Sequence, residues 1–273
     1  MRILFILYIV CILVIAIILS LSIIRNVNVY DYREENLNKT GKLNYIPKKI
    51  FQLVADKNKI HPDFQENINF IKKMNPDWSY TLFDDQDIID YIMLHYGQDI
   101  LFIYNKINSK YGAAKADFFR YLLMYKEGGV YLDIKSSCIL PLSSIILPED
   151  EYILCHWDLP TQVHNIKNHD GEFQQWHIIC RPLHPFLYAV IEKVIDNILQ
   201  YDIHKTGVGK QAVIETTGPI AYTFAILPIL SKYNHRIVDL AENIGLVYNN
   251  INGSHRGLFS KPHYSKIREP VII

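Results

Sequence analysis

The stretch YGAAKADFFRYLLMYKEGGVYLDIK, residues 111–135, decides the fold because it joins a helix to a strand with only two glycines between them. Apolar residues recur at helical spacing in its first part, at Ala114, Phe118 and Leu122. This spacing predicts a helix over 111–129 that ends at Gly128–Gly129. The following VYLDI, residues 130–134, alternates in side-chain character, which predicts a strand.

Charged residues gather where this strand ends. Asp133 and Lys135 are two positions apart, so a strand would place both side chains on one face. The preceding helix carries Asp117, Arg120 and Tyr121 within about one turn. Ligands bind beyond the carboxyl ends of strands in open α/β sheets, which predicts a functional site here. The alternative is a surface salt bridge between Asp117 and Arg120 with a small effect on stability.

Strand and helix patterns also alternate before this stretch, as in an α/β sheet with parallel crossovers. Strand patterns occur at 46–55 and 78–85, and helical patterns occur at 64–76 and 85–97. No linker or internal repeat interrupts this part of the chain. We therefore expect one α/β domain over 46–273.

The N-terminal segment is long and apolar enough to span a membrane. Residues 3–24 contain no charged side chain, and a helix of this length covers about 33 Å. The alternative is a cleaved signal peptide, but its apolar part is normally shorter, about 7–15 residues. We expect a transmembrane signal anchor over 1–24 and a polar stem over 25–45. Glycosylation sequons at Asn38 and Asn252 favour a type II topology with a lumenal domain.

The composition excludes some classes of function. Lys plus Arg and Asp plus Glu both number 28, so the net charge is zero and no basic field exists to hold a nucleic acid. Of the four cysteines, Cys11 lies in the apolar N-terminal segment. The cysteines of the domain, which allow at most one internal disulfide, are Cys138, Cys155 and Cys180. No cysteine or histidine pair has the spacing of a zinc site.

Five segments together resemble one known family, the DXD-containing sugar-binding glycosyltransferases of family 32. They are IPKKIFQLV, NPDWSYTLFDDQD, AAKADFFRYLLMYKEGGVYLDIK, QWHIICRPLHPF and TTGP, in this order. The resemblance extends over residues 46–265, and the family includes fungal Golgi initiating α-mannosyltransferases and sphingolipid mannosyltransferases. It implies a GT-A-like fold in which helices flank a mixed central sheet. It also implies a nucleotide-sugar donor, a glycan or lipid acceptor, retention at the anomeric carbon, and a type II protein of the Golgi or ER membrane.

Several residues match positions of this family. Asp117 and Arg120, with Tyr121 beside them, resemble the helix residues that hold the ribose and phosphate region of the donor. Asp133 matches the first aspartate of the DXD motif. Lys135 stands where the second aspartate would be, so this chain departs from the family at that position.

Lys135 leaves two interpretations of the site open. Glycosyl transfer expels a nucleoside diphosphate, whose growing negative charge a divalent cation normally stabilises. Either Lys135 replaces or assists Mn²⁺ or Mg²⁺ at Asp133 as a fixed positive charge, or it pairs with Asp133 or solvent in an inactive site. The basic run 254–268 contains His255 and His263, which resemble donor-binding residues of a lid; the alternative is a solvated tail. His255 is also a candidate metal ligand.

Further candidates lie after the DXD-like motif. Gln175, with Glu172 as an alternative, is predicted near the anomeric carbon, where a polar side chain assists retaining transfer. An amide is no ordinary nucleophile, which favours attack on the face of the leaving group. Trp176 is expected in the core rather than as a sugar platform. Thr217 and Gly218 are predicted at a donor-binding turn, and the alternative for Thr217 is a helix N-cap.

Two functions are consistent with these residues. The first is a retaining glycosyltransferase that moves a hexose, mannose in preference, from a nucleotide sugar to a glycan or glycolipid. The alternative is a catalytically inactive, glycosyltransferase-like membrane protein that binds sugars or a partner. A phosphotransferase with Asp133 as nucleophile is disfavoured, because it normally needs a second acid where this chain has Lys135.

Overall fold

A mixed six-stranded sheet forms the centre of the part of the chain that the computed structural model describes, residues 44–157, 171–251 and 264–273. Its strands are β1 (Lys49–Leu53), β2 (Ser79–Phe83), β3 (Gly129–Leu132), β5 (Tyr152–His156), β6 (His177–Cys180) and β7 (Arg236–Leu240). They lie in the order β2-β1-β3-β6-β5-β7. β1 is parallel to β2 and β3, β5 is parallel to β7, and β6 is antiparallel to β3 and β5. A separate two-stranded sheet pairs β4 (Ser137–Cys138) with β8 (Leu246–Val247).

Helices alternate with the strands along the chain. They are α1 (Pro62–Met74), α2 (Asp85–Lys106), α3 (Gly112–Glu127), α4 (Leu142–Ile145), α5 (Pro185–Leu199), α6 (Ile203–Thr206), α7 (Gly209–Thr216) and α8 (Pro219–Ile226). Short 3₁₀ turns occupy Lys57–Lys59, Leu227–Lys232, Ala241–Ile244 and Tyr264–Lys266. The predicted α/β fold with a mixed central sheet is confirmed for these residues.

Several predicted features lie outside the described residues. They are the anchor at 1–24, nearly all of the stem at 25–45, the sequons at Asn38 and Asn252, and both His255 and His263. Within the described residues, Gly209–Lys232 is long and apolar enough to cross a membrane by length and composition. The backbone leaves helical geometry at Thr217 and Gly218, and half of the most apolar part is buried. This stretch is therefore a set of short helices that pack in the domain.

Helix α3 is buried along most of its length. All residues from 117 to 125 are buried, and α3 packs on β3 and on α5. Asp117 and Arg120 are 4% and 5% exposed. The interpretation of this pair as a surface salt bridge is therefore wrong, because the helix has no solvated face at these positions.

Helix α2 extends beyond its predicted end. Gly97, which the sequence predicts as the stop, has a φ of 74° and interrupts the helix. The chain then continues as helix to Lys106, because Ile100, Leu101 and Ile103 are buried against the domain. The glycine therefore marks a kink rather than the C-terminus.

Strand β3 ends earlier than predicted. It stops at Leu132, and the N–H of Ser136 donates to the carbonyl of Asp133 at 2.8 Å, which closes a turn. The prediction that Asp133 and Lys135 share one face of a strand is therefore wrong. Both residues belong to this turn, named here the site turn (residues 133–136).

The main apolar core lies against β3 and its neighbours in the sheet. It includes Val130 and Leu132 of β3, together with Ile50 and Ile179 of the strands on either side. The cysteines of the domain are buried free thiols: Cys138, Cys155 and Cys180. The described structure therefore contains no disulfide among them.

Two glycines allow α3 to turn directly into β3. Gly128 has a φ of 60°, and a Cβ atom there would lie 2.5 Å from the backbone nitrogen of Pro182. Gly129 has a φ of 95°, and its Cβ would lie 2.6 Å from the carbonyl oxygen of Lys49 on β1. Positive φ and close backbone approach both require glycine at these positions.

We expect Gly129→Ala to lower the free energy of unfolding by at least about 2 kcal/mol, since it adds a clash with β1 to the strain of a positive φ. Urea denaturation followed by circular dichroism measures this change. Gly112→Ala is the matched control, because no atom lies within 4 Å of a Cβ there and alanine favours the helix. Equal stability of the two variants would contradict the explanation.

Candidate active site

The guanidinium of Arg120 joins two carboxylates at the end of β3. Its Nη2 atom lies 3.1 Å from Oδ1 of Asp117 and 3.2 Å from Oδ1 of Asp133. The side chains of Arg120 and Asp117 are both 6% exposed, whereas that of Asp133 is 24% exposed. Residues of α3 and of the site turn thus form one largely buried charge network.

Gln175 completes this network from the segment before β6. Arg120 donates through Nη1 to the backbone carbonyl of Gln175 at 2.7 Å and to its Oε1 atom at 3.0 Å. Gln175 in turn donates through Nε2 to Oδ1 of Asp117 at 3.1 Å. The hydroxyl of Tyr121 lies 3.0 Å from Oε1 of Gln175 and 2.9 Å from the carbonyl of Thr217. Both ends of the Gln175 amide are therefore held by α3, and its predicted role at an anomeric carbon stays a prediction.

Thr217 reaches the same network from the end of α7. Its hydroxyl donates to Oδ2 of Asp117 at 3.1 Å. The N-cap residue of α8 is Gly218, and no side chain caps that helix. The N-cap interpretation of Thr217 is therefore wrong, because Asp117 takes its hydroxyl. A Cβ at Gly218 would lie 2.7 Å from Cα of Ile214, so Gly218 permits the close approach of α7 and α8.

Burial and charge act in opposite directions on this network. Burial raises the pKa of Asp117 to about 6, although Arg120 and the hydrogen bonds from Gln175 and Thr217 lower it. Burial disfavours the charge of Arg120, but Tyr131, Asp133 and Asp117 outweigh that effect and raise its pKa above the ordinary value. Arg120 is therefore a permanent buried cation.

Asp133 keeps one carboxylate oxygen available. Its Oδ1 atom accepts a hydrogen bond from the hydroxyl of Tyr131 at 3.0 Å, in addition to the contact with Arg120. The guanidinium of Arg120 also lies 4.8 Å from the centre of the Tyr131 ring. Oδ2 of Asp133 has no hydrogen-bond partner within the described residues. This oxygen is thus available to accept a ligand hydroxyl.

The backbone of the site turn is fixed from three sides. The N–H of Asp133 donates to the carbonyl of Trp176 at 2.8 Å. Gln52 on β1 donates to the carbonyl of Asp133 at 3.1 Å, and Asn67 on α1 donates to two further carbonyls of the turn at 3.1 and 2.8 Å. Sequence reasoning missed Gln52 and Asn67. In the sequence, each of these two residues is polar within an apolar pattern. Such a pattern predicts that the side chain is buried, but it does not show which group the side chain bonds.

Lys135 points away from Asp133. Its Nζ atom donates to the hydroxyl of Tyr248 at 2.8 Å and lies 4.0 Å from the centre of that ring. No ion pair joins Lys135 to a carboxylate within the described residues. The interpretation that Lys135 pairs with Asp133 is therefore wrong. An ammonium carries three N–H donors, so two remain for a ligand.

The described side chains do not build a site for a divalent metal. No group of three or more His, Cys, Asp or Glu residues in this part of the chain could hold an ion. The strand end offers one available oxygen on Asp133 beside the positive charge of Arg120. Mn²⁺ and Mg²⁺ need several oxygen ligands, so an ion held by Asp133 would take its other ligands from donor phosphates and water.

Two other predicted residues lie near the network in sequence. Trp176 is 3% exposed and belongs to the main core, as the core interpretation predicts. Glu172 is 9% exposed, and its Oε2 atom has no hydrogen-bond partner among the described residues. Burial raises the pKa of Glu172, and Lys210 partly opposes this change.

We expect Arg120→Ala to lower the free energy of unfolding by about 3–5 kcal/mol, because it leaves two carboxylates without their buried cation. Urea denaturation at pH 7 measures the loss. The control is Lys110→Ala, which breaks an exposed ion pair with Glu269 and should change stability by less than about 1 kcal/mol. A small effect at Arg120 would contradict the central place given to its charge.

We expect the stability of the wild type relative to Asp117→Asn to fall as the pH rises from 4 to 7. The pKa of Asp117 rises on folding from 3.8 to about 6, so the folded state binds the proton more tightly. Protonation of Asp117 therefore stabilises the folded state by on the order of 3 kcal/mol below pH 4. This stabilisation is lost as the pH rises past 6. Urea denaturation at each pH measures it, and parallel curves for the two proteins would refute the assignment.

Comparisons with known proteins locate the same region. Residues 61–177 match the model of a family described as glycosyltransferase sugar-binding region containing DXD motif. This match contains most of the network, including Asp117, Arg120, Asp133 and Gln175. Two residues lie beyond the matched region. Thr217 completes the network through Asp117, and Tyr248 contacts Lys135.

Curated relatives and a solved structure are also similar. The chain is 26% identical over 200 residues to an initiation-specific alpha-1,6-mannosyltransferase of Schizosaccharomyces pombe, covering 68% of this chain and 49% of that protein. It is 27% identical over 163 residues to inositol phosphoceramide mannosyltransferase 1 of the same organism, covering 56% and 44%. The chain thus spans about half the length of these relatives. The PaToxG glycosyltransferase shares the fold with a TM-score of 0.50 and 16% identity, over 74% of this chain and 81% of that one.

Proposed function

We propose that this chain transfers a hexose from a nucleotide-sugar donor to a glycan or glycolipid, since residues 61–177 match the family model of a glycosyltransferase sugar-binding region containing DXD motif. Mannose is favoured, since both fungal relatives are named mannosyltransferases. The observation that carries the proposal is the Asp117–Arg120–Asp133 network at the end of β3. The network holds the partly exposed carboxylate of Asp133 just after the carboxyl end of β3, and ligands bind beyond such strand ends in open α/β sheets.

The donor binds through the site turn and the residues that support it. Oδ2 of Asp133 accepts a hydroxyl of the ribose or of the hexose, because its Oδ1 atom is already held by Arg120 and Tyr131. Asp117 and Arg120 fix Asp133 rather than meet the donor freely, since both are buried. Tyr121 holds Gln175 and Thr217 holds Asp117, while Gly218 permits the close approach of α7 and α8.

Lys135 supplies positive charge to the leaving diphosphate. As the glycosidic bond to phosphate breaks, negative charge grows on the phosphate and needs a fixed cation nearby. The ammonium of Lys135 is positioned by Tyr248 and keeps two donors for phosphate oxygens. Because Lys135 stands at the position of the second DXD carboxylate, its ammonium takes the place of that carboxylate and of the charge that a metal there would supply.

Transfer proceeds with retention, on the face of the leaving group. The acceptor oxygen bonds to the anomeric carbon as the bond to phosphate breaks, and the acceptor proton passes to the phosphate. Gln175 is joined to Asp133 through Arg120, so its polar side chain belongs to the same network. An amide in that position forms no covalent intermediate of the ordinary kind.

The protein is a single-pass type II membrane protein of the Golgi or ER under this proposal. Residues 1–24 anchor it, residues 25–45 form the stem, and the domain faces the lumen. Glycans on Asn38 and Asn252 would follow from that topology.

We expect the full-length protein to transfer mannose from GDP-mannose in the presence of EDTA, and Lys135→Ala to reduce the rate about 10²-fold or more. Lys135→Asp should restore part of that rate only when Mn²⁺ is added, because it recreates the second carboxylate. Release of GDP and labelled product measures both effects.

Lys106→Ala is the matched control for this experiment. Lys106 also lies over an aromatic ring, 4.8 Å from the centre of Phe102, but it belongs to α2 and not to the site turn. Its rate should equal that of the wild type. A wild type that EDTA silences completely, together with an unimpaired Lys135→Ala, would refute the role of Lys135.

A further inference from the structure

Buried polar atoms without a hydrogen-bond partner are concentrated beside Lys135. Within the described residues, such atoms on residues that contact or adjoin Tyr248 and Trp157 are Nε1 of Trp157, Nε1 of Trp176 and Oδ1 of Asn249. Buried polar atoms in native proteins almost always have partners, because an unmade hydrogen bond is destabilising. Two donors and one acceptor around a single tyrosine therefore indicate a ligand that supplies the missing partners.

Three aromatic rings, named here the aromatic wall (Trp157, Trp176 and Tyr248), accompany these atoms. The Tyr248 ring lies 5.1 Å from that of Trp157 and 5.5 Å from that of Trp176. Trp157 and Tyr248 are partly exposed, whereas Trp176 is buried behind them. The wall therefore presents an apolar ring surface at the edge of the core.

We propose that the aromatic wall and its unpartnered polar atoms form the subsite for the hexopyranose of the acceptor. This inference rests on the proposed function and names the substrate class of that same site. A pyranose has a face of C–H groups that packs on aromatic rings, and its hydroxyls both donate and accept hydrogen bonds. The indole N–H groups of Trp157 and Trp176 and the amide oxygen of Asn249 provide both kinds of partner.

The position of the wall agrees with an acceptor rather than with the donor. Lys135 contacts Tyr248 directly, so the wall adjoins the cation assigned to the leaving phosphate. Trp176 also accepts the N–H of Asp133, which places the wall next to the site turn. Attack on the face of the leaving group requires the acceptor hydroxyl to approach beside that phosphate. The donor hexose has the same chemistry, and the kinetics below distinguish the two.

The first test separates acceptor from donor kinetics in Trp157→Ala and Trp157→Phe. We expect Trp157→Ala to raise the KM for the acceptor about tenfold or more, while the donor KM and donor hydrolysis by water stay within about twofold. Trp157→Phe keeps a ring and loses the N–H, so its acceptor KM should lie between those of wild type and Trp157→Ala. Unchanged acceptor KM in Trp157→Ala, or a rise in donor KM instead, would overturn the assignment.

Trp78→Phe is the matched control. Trp78 belongs to the same core, but its Nε1 atom already donates to the hydroxyl of Ser143 at 2.9 Å. It should lower the melting temperature and leave the acceptor KM unchanged. If the Trp157 variants, like Trp78→Phe, lower the melting temperature and leave the acceptor KM unchanged, the aromatic wall is only part of the core and the proposal fails.

A binding measurement tests the subsite independently of catalysis. Titration of the full chain with methyl α-mannopyranoside should change the intrinsic tryptophan fluorescence saturably, and Trp157→Ala should abolish the change. That result supports the subsite even if no nucleotide sugar is turned over, in which case the proposed function alone fails. A wild type without a saturable change refutes the subsite.

Discussion

The buried charge of Arg120 is the constraint on which the rest of the site depends. A guanidinium out of water is tolerated only when carboxylates and carbonyls satisfy it. Asp117 lies one turn before it on α3, but Asp133 and Gln175 come from the site turn and from the segment before β6. Since all three converge on one cation, contacts within the protein itself tie α3, β3 and the segment before β6 together.

The site turn separates two opposite charges that lie only two residues apart. Asp133 is directed to Arg120 and Tyr131, whereas Lys135 is directed to Tyr248. Had the strand continued to Lys135, the two side chains would lie side by side and neutralise one another. The turn therefore keeps both a carboxylate and an ammonium available to a ligand, a combination that suits a sugar joined to a diphosphate.

The family match and the geometry agree on where the site lies, but they do not cover the same residues. The matched region, 61–177, contains the strand end and α3. Thr217 and Tyr248 come from later parts of the chain and contact Asp117 and Lys135. The shared elements thus account for the network around Arg120, whereas the surroundings of Lys135 depend on residues beyond the shared region. Lys135, which stands in place of the second carboxylate, thus contacts a residue outside the matched region.

The sequence by itself determined the α/β class, the helix and strand on either side of Gly128–Gly129, and the grouping of Asp117, Arg120 and Asp133, because these follow from local periodicity and short spacing. The tertiary structure decided the rest. Burial of α3 turned an apparent surface pair into the centre of the site, and the turn after Leu132 sent Lys135 to Tyr248. Gln52, Asn67 and Thr217 act through partners about 70 to 100 positions away in the chain. Local patterns show that such residues are polar, but only the packing of distant segments shows which groups they meet.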